Sequence, residues 1–220
     1  MIEAKGLSKT VETASGQIEI LQAIDLKINA GETIAILGAS GSGKTTLLGL
    51  LAGLDTPTQG SVHINDKNIT DMNEEQRAQL RAEKIGFVFQ SFQLIPAFNA
   101  IENTSLPLDL AGKKIDEEHV ISLLKQVDLG HRLDHTPRQL SGGEQQRVAI
   151  ARAFVTQPEY LFADEPTGNL DKKTGQKVMD LLFELNEQQQ STLILVTHDE
   201  HLANRCQRQL VLDEGRWVQP

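Results

Sequence analysis

A short glycine-rich segment near the start of the chain has the residue types and spacing needed to hold phosphate groups. Gly38-Ala39-Ser40-Gly41-Ser42-Gly43-Lys44-Thr45 matches the pattern G-x-x-x-x-G-K-[ST]. Its glycines let successive N–H groups point at one anion, and the helix that starts near Gly43 turns its positive dipole end toward the same point. Lys44 can reach the β- and γ-phosphates of a nucleotide, and the Thr45 hydroxyl suits Mg²⁺, which prefers hard oxygen ligands.

The alternative interpretation of this loop is a glycine-rich turn with a chance lysine. An apolar strand before the loop and a helix after it favour nucleotide binding instead. The predicted phosphate-binding set extends through Thr46, in the first turn of that helix. The loop does not identify the nucleotide or the reaction, because several classes of nucleotide-binding protein share it.

Polar side chains follow three buried strands of the predicted sheet, at the point where each strand ends. The apolar run Tyr160-Leu161-Phe162-Ala163 leads into Asp164 and Glu165. Ligands bind at the carboxyl ends of strands in open α/β sheets. Phosphoryl transfer needs charge neutralisation and an oriented nucleophile. We therefore expect Asp164 to hold Mg²⁺ through water and Glu165 to polarise the attacking water. A solvated turn is the alternative.

Gln90 and His198 close the other two strands in the same manner. The amide oxygen of Gln90 can touch Mg²⁺ or the attacking water, and a ring nitrogen of His198 can hydrogen-bond the γ-phosphate or that water. For His198 taken alone, a helix-start or surface histidine is the favoured interpretation. The common position of all these groups at strand ends favours a catalytic site.

A second glycine pair opens a later helix. In Leu140-Ser141-Gly142-Gly143-Glu144-Gln145, Ser141 can cap the helix and Glu144 can complete a capping box, which is a purely structural interpretation. The same segment also presents bare backbone N–H groups at a positive helix end, which repeats the anion-binding logic of the first loop.

The elements that must position these groups alternate along the chain. Residues 1–30 alternate loosely and indicate antiparallel strands, whereas the later apolar runs indicate buried strands separated by helices, and so a three-layer α/β core with parallel crossovers. The predicted strands are 33–37, 61–64, 85–89, 160–163 and 192–197; the predicted helices are 44–53, 73–84, 117–126, 143–154 and 176–188. Residues 91–154 are predicted to be a helical insertion between two parts of an ATP-binding core, 1–90 and 155–220.

Composition restricts the function classes. Lys plus Arg number 21 against 30 Asp plus Glu, a net charge of −9, which argues against broad nucleic-acid binding. Cys206 is the only cysteine, so no internal disulfide or zinc cluster is expected. His131 and His135 lack further ligands and are interpreted as solvated. No signal-peptide layout or apolar run of spanning length is present, so any membrane role is expected to come through a partner.

Together these motifs resemble the ABC ATPases over essentially the whole chain. The resemblance rests on the phosphate loop, Gln90, the LSGGQ-type segment Leu140 to Gln145, Asp164-Glu165, Gly168-Asn169-Leu170-Asp171 and His198, in family order. It implies a P-loop NTPase fold, ATP and Mg²⁺ as ligands, and a head-to-tail homodimer that sandwiches two ATP molecules. The residues implied to contact the partner's ATP are Ser141, Gly142, Gly143 and Glu144. Asp171 is implied to couple the sites, Glu165, His198 and Gln90 to act in catalysis, and Thr45, Gln90 and Asp164 to bind the metal.

Within that family the chain is similar to the MacB/LolD/FtsE-type group, and most to YbbA-type ATPases, through segments such as 86–96 and 161–171. The resemblance implies a cytoplasmic subunit, bound beneath the bacterial inner membrane to an integral permease that has a periplasmic domain. The candidate groove for that permease consists of Phe92, Leu94, Ile95 and Phe98, which could instead simply fill the helical segment. Val11 stands where members of the family usually carry an aromatic residue against adenine.

Two other functions remain open from sequence. The first is a soluble ABC protein of DNA repair or translation, which the acidic charge and the lack of basic extensions disfavour. The second is a scaffold that binds ATP to switch a membrane partner with little turnover, from which steady hydrolysis would distinguish a transporter ATPase.

Overall fold

The computed structural model describes residues 1–13 and 16–218. Its elements, in chain order, are β1 (Ile2–Thr13), β2 (Gly16–Ile28), β3 (Thr33–Leu37), α1 (Lys44–Leu51), β4 (Gln59–Ile64), β5 (Lys67–Asn68), α2 (Glu74–Lys84), β6 (Ile85–Phe89), α3 (Ala100–Leu110), α4 (Glu117–Gln126), α5 (Gly142–Phe154), β7 (Tyr160–Asp164), α6 (Lys172–Gln189), β8 (Thr192–Val196), α7 (Glu200–Ala203), β9 (Arg208–Asp213) and β10 (Arg216–Trp217). A short 3-10 helix, Pro137–Gln139, precedes α5.

The chain forms two compact units, Met1–Arg81 with Thr192–Pro220, and Ala82–Ser191. These boundaries differ from those of the predicted subdomains, because β6, α6 and α3 all pack against α5 within the second unit. The division into an ATP-binding core and a helical segment at residues 91–154 stays a prediction.

The first unit contains an antiparallel sheet in the order β2-β1-β4-β5. Ile2 pairs with Ile28 on one side and with Ile64 on the other, and all three side chains are fully buried. Burial of alternate residues on one face of a strand is what an antiparallel sheet with one solvated face requires. The antiparallel strands predicted for the first thirty residues are confirmed.

The first unit also contains parallel strands, with β3 lying between β8 and β9. Every residue of β8 is buried, which explains its uninterrupted apolar sequence. β10 adds an antiparallel edge to β9. Strand β9 is not among the strands predicted from sequence; its apolar run of three residues, Leu210 to Leu212, is short and is flanked by polar and charged residues.

In the second unit β6 lies parallel to β7, and α5 packs against β6. The predicted bounds of α4 and its cap are confirmed, since Asp116 accepts a hydrogen bond from His119 N at 3.2 Å. The predicted start of α6 at Gln176 is wrong, because the helix begins at Lys172. Asp171 caps it there by accepting hydrogen bonds from the backbone N–H groups of Lys173 and Thr174.

Candidate functional site

The phosphate loop runs from the end of β3 to the start of α1, as the sequence predicts. Gly41 and Gly43 have φ angles of 83° and 101°, in the left-handed region that favours glycine. Gly43 is the residue before α1, and no side chain among the described residues caps that helix end. A Cβ at Gly38 would overlap the carbonyl oxygen of Leu212 and the Oγ atom of Ser42. The loop is therefore built on close backbone approaches, with its helix amides left open for an anion.

Lys44 and Ser42 lie buried inside this loop. The Lys44 ammonium donates hydrogen bonds to the carbonyl oxygens of Gly38, at 3.0 Å, and Ala39, at 2.7 Å. Ser42 Oγ is buried and has no hydrogen-bond partner within residues 1–13 and 16–218. A buried hydroxyl without a partner is costly, and a phosphate oxygen would satisfy it. Thr45 is exposed in the first turn of α1, and Thr46 is half-buried.

His198 lies at the same sheet edge as the phosphate loop. Strand β8 is parallel to β3, with Val196 opposite Ile36, and Thr197 N donates to Ile36 O at 3.2 Å. The carboxyl ends of the two strands therefore coincide, and His198 follows immediately with an exposed side chain. The structure brings together two of the groups predicted to meet, the phosphate loop and the histidine.

Gln90, Asp164 and Glu165 meet at one edge of the second unit. Strands β6 and β7 are parallel and in register, with Phe89 opposite Asp164, so Gln90 and Glu165 are the next residues at this edge. Glu165 has a φ of 42°, a left-handed angle that a non-glycine residue adopts at a cost of about 1–3 kcal/mol. Such outliers cluster at functional sites, where the surrounding structure holds them in place.

The loop after Glu165 is attached to Gln90. Asn169 Nδ2 donates to the backbone oxygen of Gln90 at 2.9 Å, and a Cβ at Gly168 would lie 2.5 Å from the Gln90 amide nitrogen. Gly168 is therefore needed for the close approach of this loop to the Gln90 side chain. The two predicted catalytic residues Gln90 and Glu165 are linked through this loop.

The LSGGQ-type segment forms the predicted cap of α5. Ser141 Oγ donates to Glu144 Oε2 at 2.7 Å, Ser141 N donates to the same oxygen at 2.8 Å, and Glu144 N donates to Ser141 Oγ at 3.3 Å. Arg132 Nε donates to the other carboxylate oxygen of Glu144 at 3.0 Å. These hydrogen bonds, those from Ser141 first, lower the pKa of Glu144 from 4.5 to about 2.

Gly143 and Asp171 lie on facing helix ends. A Cβ at Gly143 would lie 2.5 Å from the methyl carbon of Thr174, in the first turn of α6. Thr174 also hydrogen-bonds the Asp171 carboxylate through its side chain, which is the main cause of the lowered pKa of Asp171. The predicted coupling residue is thus engaged in capping its own helix, beside the glycine predicted to contact phosphate.

Two arginines were not singled out by the sequence analysis. Arg152 on α5 donates to the backbone oxygens of Phe92, at 2.8 Å, and Gln93, at 2.6 Å. Both acceptor residues have positive φ angles, so Arg152 holds an unusual backbone turn directly after Gln90. The second is Arg132, described above. No sequence pattern indicates these contacts. The acceptors of Arg152 lie 59 and 60 residues away, and Glu144 lies 12 residues from Arg132.

Other predicted residues are placed as follows. Val11 lies half-buried in β1 opposite Ile18, and its position relative to adenine stays a prediction. His135 Nε2 lies 3.1 Å from Arg132 Nη1, and within the described ranges no group of three or more His, Cys, Asp or Glu could hold a metal ion. The four candidate groove residues, Phe92, Leu94, Ile95 and Phe98, are half-buried, which leaves both interpretations of them open.

A phosphate loop after a buried strand, with polar groups closing neighbouring parallel strands, defines a nucleotide-binding α/β protein. The chain belongs to the ABC transporter family, whose model matches residues 21–168. It is therefore an ATP-binding, ATP-hydrolysing subunit of a transporter.

Relatives match this chain along almost its whole length. The ABC transporter ATP-binding protein YbbA of Escherichia coli (strain K12) is 53% identical over 218 residues, covering 98% of this chain and 96% of that protein. The lipoprotein-releasing system ATP-binding protein LolD of Legionella pneumophila (strain Lens) is 51% identical over 217 residues, with the same coverage. The predicted membership of the MacB/LolD/FtsE-type group is confirmed.

A solved structure confirms the predicted fold class. The ATP-binding cassette MJ0796, solved as a dimer in a post-hydrolysis state bound to ADP and Pi, superposes with a TM-score of 0.92. It is 40% identical, and the match covers 100% of this chain and 97% of that one. A second dimeric MJ0796 structure is 41% identical, with the same TM-score.

Proposed function

We propose that this chain binds ATP with Mg²⁺, hydrolyses it as an ATP-bound homodimer, and thereby powers a separate integral permease of the bacterial inner membrane. The observation that carries this proposal is the presence of two glycine-lined helix starts, at α1 and α5, in one ABC-family chain. Each presents backbone N–H groups and a positive dipole end to an anion. Because MJ0796 forms dimers with bound ADP and Pi, a dimer of this chain is a consistent arrangement.

The phosphate loop, residues 38–46, is assigned to the triphosphate. Lys44 exchanges the carbonyl oxygens of Gly38 and Ala39 for phosphate oxygens, which are stronger acceptors because they carry charge. Ser42 Oγ, buried without a partner among the described residues, gains a phosphate oxygen. The geometry of Gly41 and Gly43 keeps the loop open for this exchange.

The residues assigned to Mg²⁺ are Thr45, Gln90 and Asp164. They offer hydroxyl, amide and carboxylate oxygens, the donor types that Mg²⁺ prefers, so the residues fit the ion. A bound Mg²⁺ would neutralise charge on the β- and γ-phosphates. The register of β6 with β7 supports a joint role for Gln90 and Asp164.

Glu165 is assigned to orient and polarise the attacking water, with Gln90 and His198 positioning the water and the γ-phosphate. The hydrogen bond from Asn169 to the Gln90 backbone oxygen and the unusual backbone conformation of Glu165 support fixed positions for Gln90 and Glu165. Fixed dipoles and charges lower the barrier because they need no reorganisation during the reaction.

Residues 141–144 are assigned to the γ-phosphate bound by the partner copy, and Asp171 to coupling between the two sites. A two-fold dimer supplies both sites at once, since the same surface meets itself. The packing of Gly143 against Thr174, which hydrogen-bonds Asp171, supports a link between phosphate contact and coupling within one copy.

We assign the binding site for the permease to a groove within the proposed helical segment at residues 91–154. Its candidate residues are Phe92, Leu94, Ile95 and Phe98. Apolar grooves accept amphipathic helices. No helix in the described part of the chain is long and apolar enough to cross a bilayer. The likeness to ABC transporter ATP-binding proteins supports a location on the cytoplasmic face of the inner membrane, through the permease. The net charge of −9 argues against a nucleic-acid partner.

The variant Glu165→Gln tests this function. It is expected to keep ATP binding, to lower turnover by on the order of a hundredfold or more, and to accumulate an ATP-bound dimer, because the water loses its polarising carboxylate. The assays are steady-state phosphate release, binding of a fluorescent ATP analogue, and light scattering coupled to size-exclusion chromatography. Glu187→Gln, at an exposed position on α6, is the matched control. An unchanged turnover in Glu165→Gln would remove Glu165 from its assigned role, and a strictly monomeric ATP-loaded variant would contradict the dimer.

A further inference from the structure

The hydroxyl proposed to contact the partner's ATP is already in use within the chain. Ser141 Oγ donates to Glu144 Oε2 at 2.7 Å, and the same oxygen accepts the Ser141 N–H at 2.8 Å. A serine hydroxyl carries a single proton, so it cannot donate to Glu144 and to a phosphate at the same time. The Ser141 hydroxyl must therefore give up its hydrogen bond to Glu144 before it can donate to the γ-phosphate.

The carboxylate of Glu144 is in turn held by an arginine from the preceding segment. Arg132 Nε donates to Glu144 Oε1 at 3.0 Å, while Arg132 Nη1 lies 3.1 Å from His135 Nε2. The Glu144 side chain is only 15% exposed, whereas that of Arg132 is 37% exposed. One oxygen of the carboxylate thus accepts hydrogen bonds from Ser141, and the other accepts one from Arg132. The Glu144–Arg132 ion pair carries no net charge.

This arrangement has an electrostatic consequence for an arriving phosphate. The pKa of Glu144, lowered to about 2, keeps its carboxylate ionised at neutral pH. An ionised carboxylate beside the Ser141 hydroxyl would repel the γ-phosphate unless its charge were balanced. Arg132 is the cation in contact with it, and the guanidinium fixes the carboxylate through a directed hydrogen bond.

We propose that Arg132 is a positioning residue for the ATP-bound dimer: it balances and holds the Glu144 carboxylate, so that the Ser141 hydroxyl can pass from Glu144 to the γ-phosphate bound by the partner copy. The inference rests on the proposed function, because it takes residues 141–144 as the trans contact. Arg132 acts through Glu144 and is not itself assigned to touch ATP. Glu144 then keeps the Ser141 N–H, and the start of α5 stays capped.

The test uses the full-length chain carrying Glu165→Gln, which traps the dimer, and measures the ATP concentration that gives half-maximal dimer by light scattering. Arg132→Gln is expected to raise this concentration about fivefold or more, on the scale of one partly buried charge contact. Binding of ATP to the monomer, measured with a fluorescent analogue at low protein concentration, is expected to change less than about twofold, because the phosphate loop is untouched. Arg138→Gln, which removes an exposed arginine from the same segment, is the matched control and should change neither quantity.

A double-mutant cycle separates this role from a simple surface ion pair. Glu144→Gln retains the capping pattern, since glutamine also serves at this position, but removes the charge. It is expected to lower the half-maximal ATP concentration about threefold, because Ser141 leaves a neutral acceptor more easily than a charged one. Arg132→Gln is then expected to have less than about a twofold effect in the Glu144→Gln background. Arg132→Lys, which keeps the charge, should restore most of the loss.

Two results would overturn the inference. One is that Arg132→Gln changes the half-maximal ATP concentration by the same factor with Glu144 present and in the Glu144→Gln background. The other is that Arg132→Gln leaves this concentration unchanged when Glu144 is present. If Arg132→Gln fails to fold, Glu144→Gln decides, and an unchanged half-maximal ATP concentration in that variant rejects the role. Failure of the proposed function looks different, because the Glu165→Gln parent would then remain monomeric at every ATP concentration.

Discussion

Replacing Gly143 with alanine probes how closely the start of α5 packs against α6. The added Cβ would lie 2.5 Å from Cγ2 of Thr174, far inside van der Waals contact. Gly143 is not among the residues with positive φ, so alanine meets no backbone strain and only the packing changes. Thr174 cannot rotate away cheaply, because its side chain hydrogen-bonds Asp171 and its branched Cβ restricts χ1.

The expected magnitude combines two opposing effects. Overpacking of this kind costs about 1–3 kcal/mol, whereas glycine to alanine in a helix gains about 0.5–1 kcal/mol. The free energy of unfolding should therefore fall by roughly 0–2.5 kcal/mol. In a Thr174→Ser background the clashing methyl is absent while the hydroxyl remains. There the same substitution is expected to raise the free energy of unfolding, by up to about 1 kcal/mol.

The measurement is urea unfolding followed by circular dichroism, repeated as thermal unfolding. For a chain of this size each 1 kcal/mol shifts Tm by about 2–4 °C. The neighbouring glycine supplies the control. A Cβ at Gly142 would lie 3.4 Å from Leu170 Cδ2 and 3.7 Å from Phe92 Cζ, which are ordinary contacts, so Gly142→Ala should be neutral or stabilising.

Either of two outcomes would refute this reasoning. Equal effects of Gly142→Ala and Gly143→Ala would mean that the Thr174 contact does not decide the cost. An undiminished cost of Gly143→Ala in the Thr174→Ser background would place the strain somewhere other than the α5–α6 contact. A loss of dimer formation with unchanged unfolding would assign Gly143 to phosphate contact alone.

Two further predictions concern charges in the phosphate-binding segments. Lys44→Ala is expected to abolish tight nucleotide binding, since the phosphates lose their buried cation; retained micromolar affinity in a fluorescent-ATP titration would contradict this. The pKa of Glu144 is lowered because the folded protein stabilises its ionised carboxylate. This contribution to the free energy of unfolding is fully present above pH 4.5 and is lost as the pH falls toward about 2. The difference in the free energy of unfolding between wild type and Glu144→Gln should shrink over that window, and a difference constant across it would exclude the linkage.

Secondary structure was predictable where one local signal decides it. The strand Thr33–Leu37 and the helix Glu117–Gln126 have the predicted bounds, because an apolar run and an aspartate cap define them. The start of α6 is not predicted correctly, because the motif assigns Asp171 to coupling between sites and not to a helix cap. Helix α3 is not among the helices predicted from sequence, although Asn99 and Glu102 form a capping box at its start.

The chemistry of the candidate site was predictable from motifs, but the contacts that hold it were not. Spacing identifies Lys44 or Glu165, because the motif itself is local in sequence. Whether Arg132 reaches Glu144, or Arg152 reaches the carbonyls of Phe92 and Gln93, depends on how segments 12 to 60 residues apart pack together. Those contacts arise from tertiary packing, for which a single sequence has no periodic or spacing signal.

The two segments proposed to bind phosphate differ in what an arriving phosphate must displace. At Lys44 the internal acceptors are neutral carbonyl oxygens, so exchange for charged phosphate oxygens strengthens the hydrogen bonds. At Ser141 the internal acceptor is already a carboxylate, so exchange for phosphate gains little in acceptor strength. We therefore expect the free energy of ATP binding to come mainly from a copy's own loop. Closure by the partner's segment is then expected to be a smaller increment, which the proposed charge balance between Arg132 and Glu144 would adjust.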